Sequence, residues 1–302
     1  MASSPSHAQA HDHPPQAGRN LAAAFWLNLG FTLFELLGGW WTNSVAILSD
    51  AVHDLGDSVS LGAAWYLQRR AQQGRDAQYS FGYRRFALLG ALLNGAILVI
   101  GSVLIVQEAL PRLWAPDAAH APGMMLLAVG GVLINGLAVW RLQGGHSLQE
   151  RAVRLHLLED VGGWLAVLLG GALMYITGWA WIDPCLSLGI AGWVLVNAVR
   201  TLRDVLRILL QAVPSDRDMA ALRQDLLAVE GVADLHDLHL WSLDGAYEIL
   251  SVHLKTHAVQ DLTEVAAIKQ AVRQRLADLG IEHATLEVEH PGESCALADS
   301  SV

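Results

Sequence analysis

Long apolar runs, broken by short polar or glycine-bearing turns, dominate the first two thirds of the chain. Six of them are long enough to cross a bilayer, which takes roughly 20 mostly apolar residues. They lie near Leu21 to Trp41, Ser44 to Leu67, Arg85 to Leu113, Pro122 to Leu142, Leu148 to Thr177 and Trp181 to Leu210. Their small-residue stretches LLGGW, LLGALLNGA and VGGVLINGLA suit close helix contact in lipid, where packing drives association. After Leu210 the pattern changes. SDRDMAALRQDLLAVEGV has a capping start and helical spacing, while VADLHDLHLWSL and YEILSVHLKTH read as strands around a turn at Asp244 and Gly245. DLTEVAAIKQAVRQRLADLG then reads as a second helix and IEHATLEVEH as a third strand. The order αββαβ predicts a compact α+β module, residues 211–290, with two helices on one face of a small sheet. The expected fold class is an α-helical polytopic membrane protein with six transmembrane helices and a C-terminal cytoplasmic α+β domain. The Pro-, Ser-, Ala- and His-rich residues 1–20 are expected to be disordered, as are residues 291–302.

Composition agrees with a membrane protein. Of 302 residues, 53% are hydrophobic and only 16% charged, with a mean hydropathy of +0.35, too apolar for an ordinary soluble chain of this size. Arginines mark the orientation. Arg69, Arg70, Arg75, Arg84 and Arg85 fall between the second and third runs, and Arg141, Arg151 and Arg154 between the fourth and fifth. The other connections turn over at Thr42 and Asn43, at Gly178, and in a stretch carrying only Arg112, so the positive-inside rule places both chain ends in the cytoplasm. No cleavable signal peptide is visible at the N-terminus. The net charge of −10 comes largely from the tail after Leu210 and argues against nucleic acid as a partner. Cys185 and Cys295 are isolated in sequence and support neither a disulfide framework nor a thiolate metal site. No GxxxxGK[ST] loop is present, which argues against a nucleotide, and no HExxH motif is present.

Against this apolar background the second run carries ILSDAVHDLGDSVS, with Asp50, His53, Asp54 and Asp57. Residues four apart share a helix face, about 6 Å apart along the axis, so His53 and Asp57 point the same way. Asp54 is rotated by about 100° from His53 and suits a packing or hydration role. The spacing recurs in the fifth run, where RLHLLEDVGG places His156 and Asp160 four apart. Two helices thus each offer an imidazole and a carboxylate. Two nitrogens and two oxygens suit zinc, with cobalt and cadmium as close competitors, whereas magnesium or calcium wants oxygen throughout. A divalent cation with two aspartates and two neutral histidines also sums to zero charge, the least costly state in a low-dielectric setting. Protons are expected to replace the metal when it leaves. A lone polar group in a span is often a packing group. Two His-x-x-x-Asp pairs are hard to read so, when each charge costs about 2.5 to 3.5 kcal/mol to insert. Asp50 shares the His53 face and serves access or support of the ligands, or simply packs the helix. Glu35 is a weaker candidate, Glu108 is expected to pair with Arg112, and Glu159 is expected to face away from the site.

SVAILSDAVHDLGDS, YSFGYRRFALLGALLNG, LHLLED and HDLHLW together resemble the cation diffusion facilitators, in their zinc, cadmium and cobalt efflux branch. The resemblance runs from about Leu21 to His290. It implies a homodimer of six-helix protomers with a cytoplasmic domain of ferredoxin-like fold, working in the lipid bilayer as a metal/proton antiporter. Matching motif to motif places the transport site at His53, Asp57, His156 and Asp160. Zn2+ is the implied substrate and possible cytoplasmic regulator, with Cd2+ and Co2+ as alternatives and protons as the counter-substrate. The implied location is a bacterial cytoplasmic membrane, and the implied role metal homeostasis and resistance. Histidine at position 53 resembles the zinc-preferring members. Some members carry a further zinc site in the loop between helices two and three. Here Tyr79 and Tyr83 stand where its histidines would be, so no such site is expected, although Asp76 remains. In the tail, His236, His239, His253, His283, Glu287 and Glu289 are available ligands. Strand alternation puts His236 and His239 on opposite faces, which leaves His236 with His253 and Glu287 or Glu289 as a cytoplasmic site, or else a set of solvated histidines. His7, His11 and His13 capture metal loosely or do nothing.

Overall fold

The computed structural model describes residues 16–71, 74–141, 148–257 and 261–297. Two compact units divide the chain, one built from residues 1–70 and 90–202, the other from residues 71–89 and 203–302.

Six long helices run through the first unit and its edges: α1 (Gln16–Thr42), α2 (Val45–Ala71), α3 (Phe86–Arg112), α4 (Ala121–Arg141), α5 (Leu148–Thr177) and α6 (Ile182–Leu209). A helix satisfies its own backbone hydrogen bonds, which lipid cannot do. Each of the six expected runs is one helix, with ends shifted by a few residues. The first starts at Gln16, five residues inside the tail expected to be disordered; residues 1–15, with His7, His11 and His13, lie outside the described residues. Among the described residues, Phe86–Arg112, Leu157–Thr177 and Ile182–Leu209 are long and apolar enough to cross a membrane on length and composition alone, and Ala121–Leu137 is a shorter apolar stretch. The ionisable residues of α2 and of the start of α5 dilute those helices.

The tight turns fall where the sequence placed them. Asn43 (φ 54°) and Gly178 (φ 70°) both take left-handed backbone, the conformation that small polar residues and glycine adopt most readily. Trp40 and Trp41 at the end of α1, Trp114 just past α3, and Trp179 and Trp181 between α5 and α6 are all exposed. Alternating helix directions bring these ends to one side, where exposed indoles form the aromatic belt expected at a membrane interface. Inside the unit, α4 and α5 approach closely at Gly131. A Cβ there would lie 2.3 Å from the ring of Trp164, which is itself buried with Met124, Ala128 and Val167.

The second unit carries the predicted αββαβ order as α7 (Met219–Leu227), β1 (Val232–Ser242), β2 (Glu248–Thr256), α8 (Leu262–Asp278) and β3 (His283–Glu289). Asp218 and Asp261 cap the two helices, each accepting two backbone N–H groups. β2 is the central strand, antiparallel to β1 and parallel to β3. Leu250, Val252 and Leu254 of β2 pack with Leu222 and Leu226 of α7 and Ile268, Val272 and Leu276 of α8. By alternation, the odd-numbered residues of β2, His253 among them, face away from both helices. The Asp244 and Gly245 turn forms as expected, with Gly245 at φ 94° and the Asp244 carboxylate accepting the N–H groups of Ala246 and Tyr247. The chain after His290 departs from the disordered tail expected from residue 291 on. Residues 291–297 make turns, and Cys295 lies 3.5 Å from His253.

Candidate metal sites

α2 starts at a fixed point. The carboxylate of Asp183, in the first turn of α6, accepts the Val45 N–H at 2.8 Å and the Ala46 N–H at 3.3 Å, together with the Ser44 hydroxyl. These are N–H groups that the helix cannot satisfy itself. From that anchor, α2 carries His53 and Asp57 on one face, with His53 Nε2 3.7 Å from Asp57 Oδ2. His53 and Asp160 line one cavity of about 280 Å³ together with Asp50, Glu159, Gly163 and Trp193. The Trp193 ring stands edge-on to the His53 imidazole at 6.0 Å. Glu159 was expected to face elsewhere and instead lines this cavity, because its shallow wall spans more than one helix face. His156 sits on α5 between Leu148 and Thr177, but its side chain lies outside the described residues.

Asp50 is buried, with one carboxylate oxygen where it would touch a Cβ at Gly163 of α5. The absence of a side chain at Gly163 leaves room for that carboxylate between the helices. Glu35 and Asp54, given weaker roles from sequence, are both buried, and their carboxyl groups face each other. Asn28 of α1 spans the same contact, donating to the Asp54 carbonyl and the Ser58 hydroxyl at 3.0 Å each. Periodicity along α2 correctly turned Asp54 off the His53 face. Its α1 partner could not be read from one helix alone. Glu108 pairs with Arg112 at 2.7 Å as expected, and Arg112 also donates to the Asn43 carbonyl.

In the loop before α3, the Tyr83 hydroxyl donates to Asp76 at 2.6 Å, and the same carboxylate accepts the N–H groups of Gln78 and Tyr79. Led by the Tyr83 bond, these contacts hold the Asp76 carboxyl below its ordinary value. The Tyr83 phenol thus occupies the loop carboxylate.

The cytoplasmic cluster is drawn together by sheet register. His236 of β1, His253 of β2 and Glu287 of β3 occupy one row across the three strands. Glu289, two residues along β3, reaches back: its Oε1 lies 2.8 Å from His253 Nδ1 and 3.1 Å from His236 Nε2. Glu289 is 2% exposed and His236 7%, whereas the Glu287 side chain is 64% exposed, with Oε2 3.4 Å from His253 Nε2. Of the two glutamates offered by the sequence, Glu289 is therefore the buried one. A bulge between His236 and His239, with Asp237 at φ 48°, overturns the expected opposite faces: the two histidines pair with His253 and Ser251 and share one face, with His239 half exposed and 2.9 Å from Asp237. His283 meets the Phe81 ring edge-on and the Tyr247 ring at a tilt instead of joining the cluster.

Cys295 does join it, which corrects the reading of that cysteine as isolated. His236, His253, Glu289 and Cys295 each offer a ligand atom within 4.8 Å of the others, the one such group of three or more among the described residues. The sequence signal was obscured by the turn after β3, whose geometry no periodicity specifies. Burial opposes the charge on Glu289, but bonds from His253 and Cys295 and the charges of the two histidines hold its carboxyl below the ordinary value. For Cys295, the Leu297 N–H favours the thiolate; burial and the carboxylates of Glu289 and Glu287 outweigh it and push the thiol up. A cation binding here would displace that proton.

A helical membrane bundle whose second and fifth helices turn imidazole and carboxylate toward one cavity, joined to a small cytoplasmic sheet with its own ligand cluster, defines a metal-cation transporter. The chain belongs to the cation efflux family: residues 21–210 match the cation efflux transmembrane domain and residues 214–291 the cation efflux protein cytoplasmic domain. It is 36% identical over 295 residues to the metal cation efflux system protein CzcD of Cupriavidus metallidurans, covering 96% of this chain and 92% of that protein. It is 32% identical over 284 residues to a cadmium, cobalt and zinc/H(+)-K(+) antiporter of Bacillus subtilis, covering 92% of this chain and 91% of that one. To the zinc transporter ZitB of Escherichia coli it is 32% identical over 304 residues, covering 98% and 96%. A solved metal-bound C-terminal domain of the C. metallidurans CzcD transporter is 31% identical, covering 24% of this chain and 99% of that one, with a TM-score of 0.23.

Proposed function

We propose that this chain exports divalent metal cations from the cytoplasm, zinc foremost and cadmium or cobalt as alternatives, in exchange for protons. The observation that carries the reading is the convergence of His53 from α2 and Asp160 from α5 on one cavity, with Asp57 3.7 Å from His53. Relatives bearing zinc, cadmium and cobalt transport in their names support the choice of ion. In this reading His53, Asp57, His156 and Asp160 replace the ion's water shell. Imidazole and carboxylate are also proton acceptors, so metal and proton compete for one set of atoms and a proton gradient can drive metal outward. Asp50, buried at the cavity wall, holds an oxygen on the approach to those ligands.

The chain works as a homodimer in a bacterial cytoplasmic membrane with both termini inside, consistent with its arginine distribution. His236, His253 and Glu289, with Glu287 at the rim, form a cytoplasmic metal site. Binding there draws two cytoplasmic domains together as internal zinc rises. No nucleotide takes part, and the protein acts as a secondary transporter and not as an enzyme.

The test is metal uptake into inside-out vesicles under an imposed pH gradient, for the wild type, Asp57→Ala and Asp160→Ala. Gradient-dependent zinc uptake that both variants lose upholds antiport through this site. Uptake that ignores the gradient, or survives either substitution, overturns it.

A further inference from the structure

The cytoplasmic cluster contains one group more than an imidazole and carboxylate site needs. Cys295 lies beyond β3, in a turn that returns the chain to the sheet face opposite α7 and α8. Its sulfur is 3.5 Å from His253 Nδ1, and the Leu297 N–H donates to that sulfur at 3.3 Å. A further atom bears on the site: Glu289 Oε2 is buried with no hydrogen-bond partner among the described residues, an arrangement that is costly unless something satisfies it, while Oε1 of the same carboxylate lies 3.1 Å from His236 Nε2.

We propose that Cys295 is a metal ligand, completing with His236, His253 and Glu289 a four-coordinate site for a soft divalent cation, Zn2+ or Cd2+. The proposal rests on the cytoplasmic metal site put forward above and adds its thiolate. Bonds of about 2.0–2.3 Å to nitrogen, oxygen and sulfur in a tetrahedron set the ligand atoms about 3.3–3.8 Å apart. The His253 to Cys295 distance already falls there, and the histidine to Glu289 distances need only open by a few tenths of an ångström. A two-histidine, one-carboxylate, one-thiolate set prefers zinc and cadmium over manganese and magnesium. The cation also ties the C-terminal turn to the sheet. Cys295 thereby makes the site both more selective and slower to release its ion than three ligands would.

Only two cysteines occur in the chain, and Cys185 is exposed, so Cys185→Ser leaves Cys295 as the sole thiol. Full-length protein in that background, purified in detergent, is titrated with Cd2+ while the thiolate-to-cadmium charge-transfer band is followed, and cadmium bound per chain is counted. The proposal expects the band to grow to one equivalent and to vanish in Cys295→Ser. That loss should weaken cadmium binding at the cytoplasmic site by at least about tenfold, the effect that even outer partners of a metal ligand have. His253→Ala should also abolish the band, and Zn2+ should protect Cys295 from iodoacetamide. If no band forms but His236→Ala or His253→Ala releases a bound equivalent, Cys295 is not a ligand and the three-ligand site stands. If neither histidine substitution changes the metal count, the cytoplasmic site and the thiolate both fail.

Discussion

Asp183 of α6 caps α2: its carboxylate accepts the Val45 N–H at 2.8 Å, and no residue of α2 itself supplies that bond. The helix that carries His53 and Asp57 is thus pinned at its start by a different helix, with Asp183 only 1% exposed. Removing the carboxylate leaves the Val45 and Ala46 N–H groups and the Ser44 hydroxyl buried without their partner. Asp183→Ala should destabilise the protein by about 1–3 kcal/mol, in the range of a lost cap and an unsatisfied buried group. Thermal unfolding in detergent measures this. Asp183→Asn, which keeps one acceptor oxygen, should fall between alanine and wild type, and an alanine variant as stable as wild type would show the cap to be dispensable.

The loop between α2 and α3 is held to the cytoplasmic sheet by Arg84, whose guanidinium is 3.2 Å from Asp244 and lies 4.4 Å over the Tyr247 ring. Burial raises the Asp244 carboxyl, but the N–H groups of Tyr247 and Ala246 and the Arg84 charge outweigh it and hold it below its ordinary value. A carboxyl depressed on folding contributes stability above its unfolded value, near pH 4, and loses that contribution as pH falls through the folded one. The Arg84 side chain is 48% exposed, so the pair is worth no more than about 1 kcal/mol. A double-mutant cycle with Arg84→Ala and Asp244→Ala, read as hydrogen exchange of the loop amides, should show coupling at pH 7 that fades as the pH is lowered through the depressed Asp244 value. Coupling of the same size across that range would mean the contact is stacking on Tyr247 alone.

Much of this architecture can be read from the one-dimensional pattern, because helix and strand periods depend on neighbours a few residues apart. The six spans, the Asn43 and Gly178 turns and the αββαβ order all follow from local spacing. So does the His53 and Asp57 face, since i to i+4 geometry is fixed by the helix. What stayed hidden depends on how separate elements meet. Glu35 gains its meaning from Asp54 on the next helix, Glu159 from the cavity wall, and Cys295 from a turn with no periodicity. Alternation along β1 failed at the Asp237 bulge, which brings His236 and His239 to one face opposite His253 and Ser251; that irregularity has no signal in the spacing. Alternation could not choose between Glu287 and Glu289, which share a strand face, since only the packed structure buries one and exposes the other.

Tyr83 and Tyr79 give a gain-of-site test. With the Tyr83 hydroxyl bonded to Asp76 at 2.6 Å, the loop carboxylate is satisfied without metal. The double variant Tyr79→His, Tyr83→His replaces both phenols with imidazoles beside that carboxylate, an oxygen and nitrogen set that suits zinc. Calorimetric titration of the full-length variant should find one zinc per chain more than wild type, and Asp76→Ala in the same background should remove it. An unchanged count would mean that the loop cannot close around an ion even with both imidazoles in place.

His53 should govern which metal is carried. In the proposed site its imidazole is the nitrogen ligand of α2; it lines the cavity, and the Trp193 ring stands edge-on to it at 6.0 Å. His53→Asp changes the proposed donor set from two nitrogens and two oxygens to one nitrogen and three oxygens, which moves preference from zinc toward harder ions such as manganese. It also places a third carboxylate beside Asp57 and Asp160, so a bound divalent ion would no longer bring the site to neutrality. Zinc uptake by proteoliposomes should fall and manganese uptake should rise from background. His53→Ala separates the causes: it removes the nitrogen without adding charge, so it should lose zinc transport without gaining manganese. Equal zinc-to-manganese ratios in wild type and His53→Asp would show that selectivity is set elsewhere, and would direct attention to Asp50 and Glu159 on the same cavity wall.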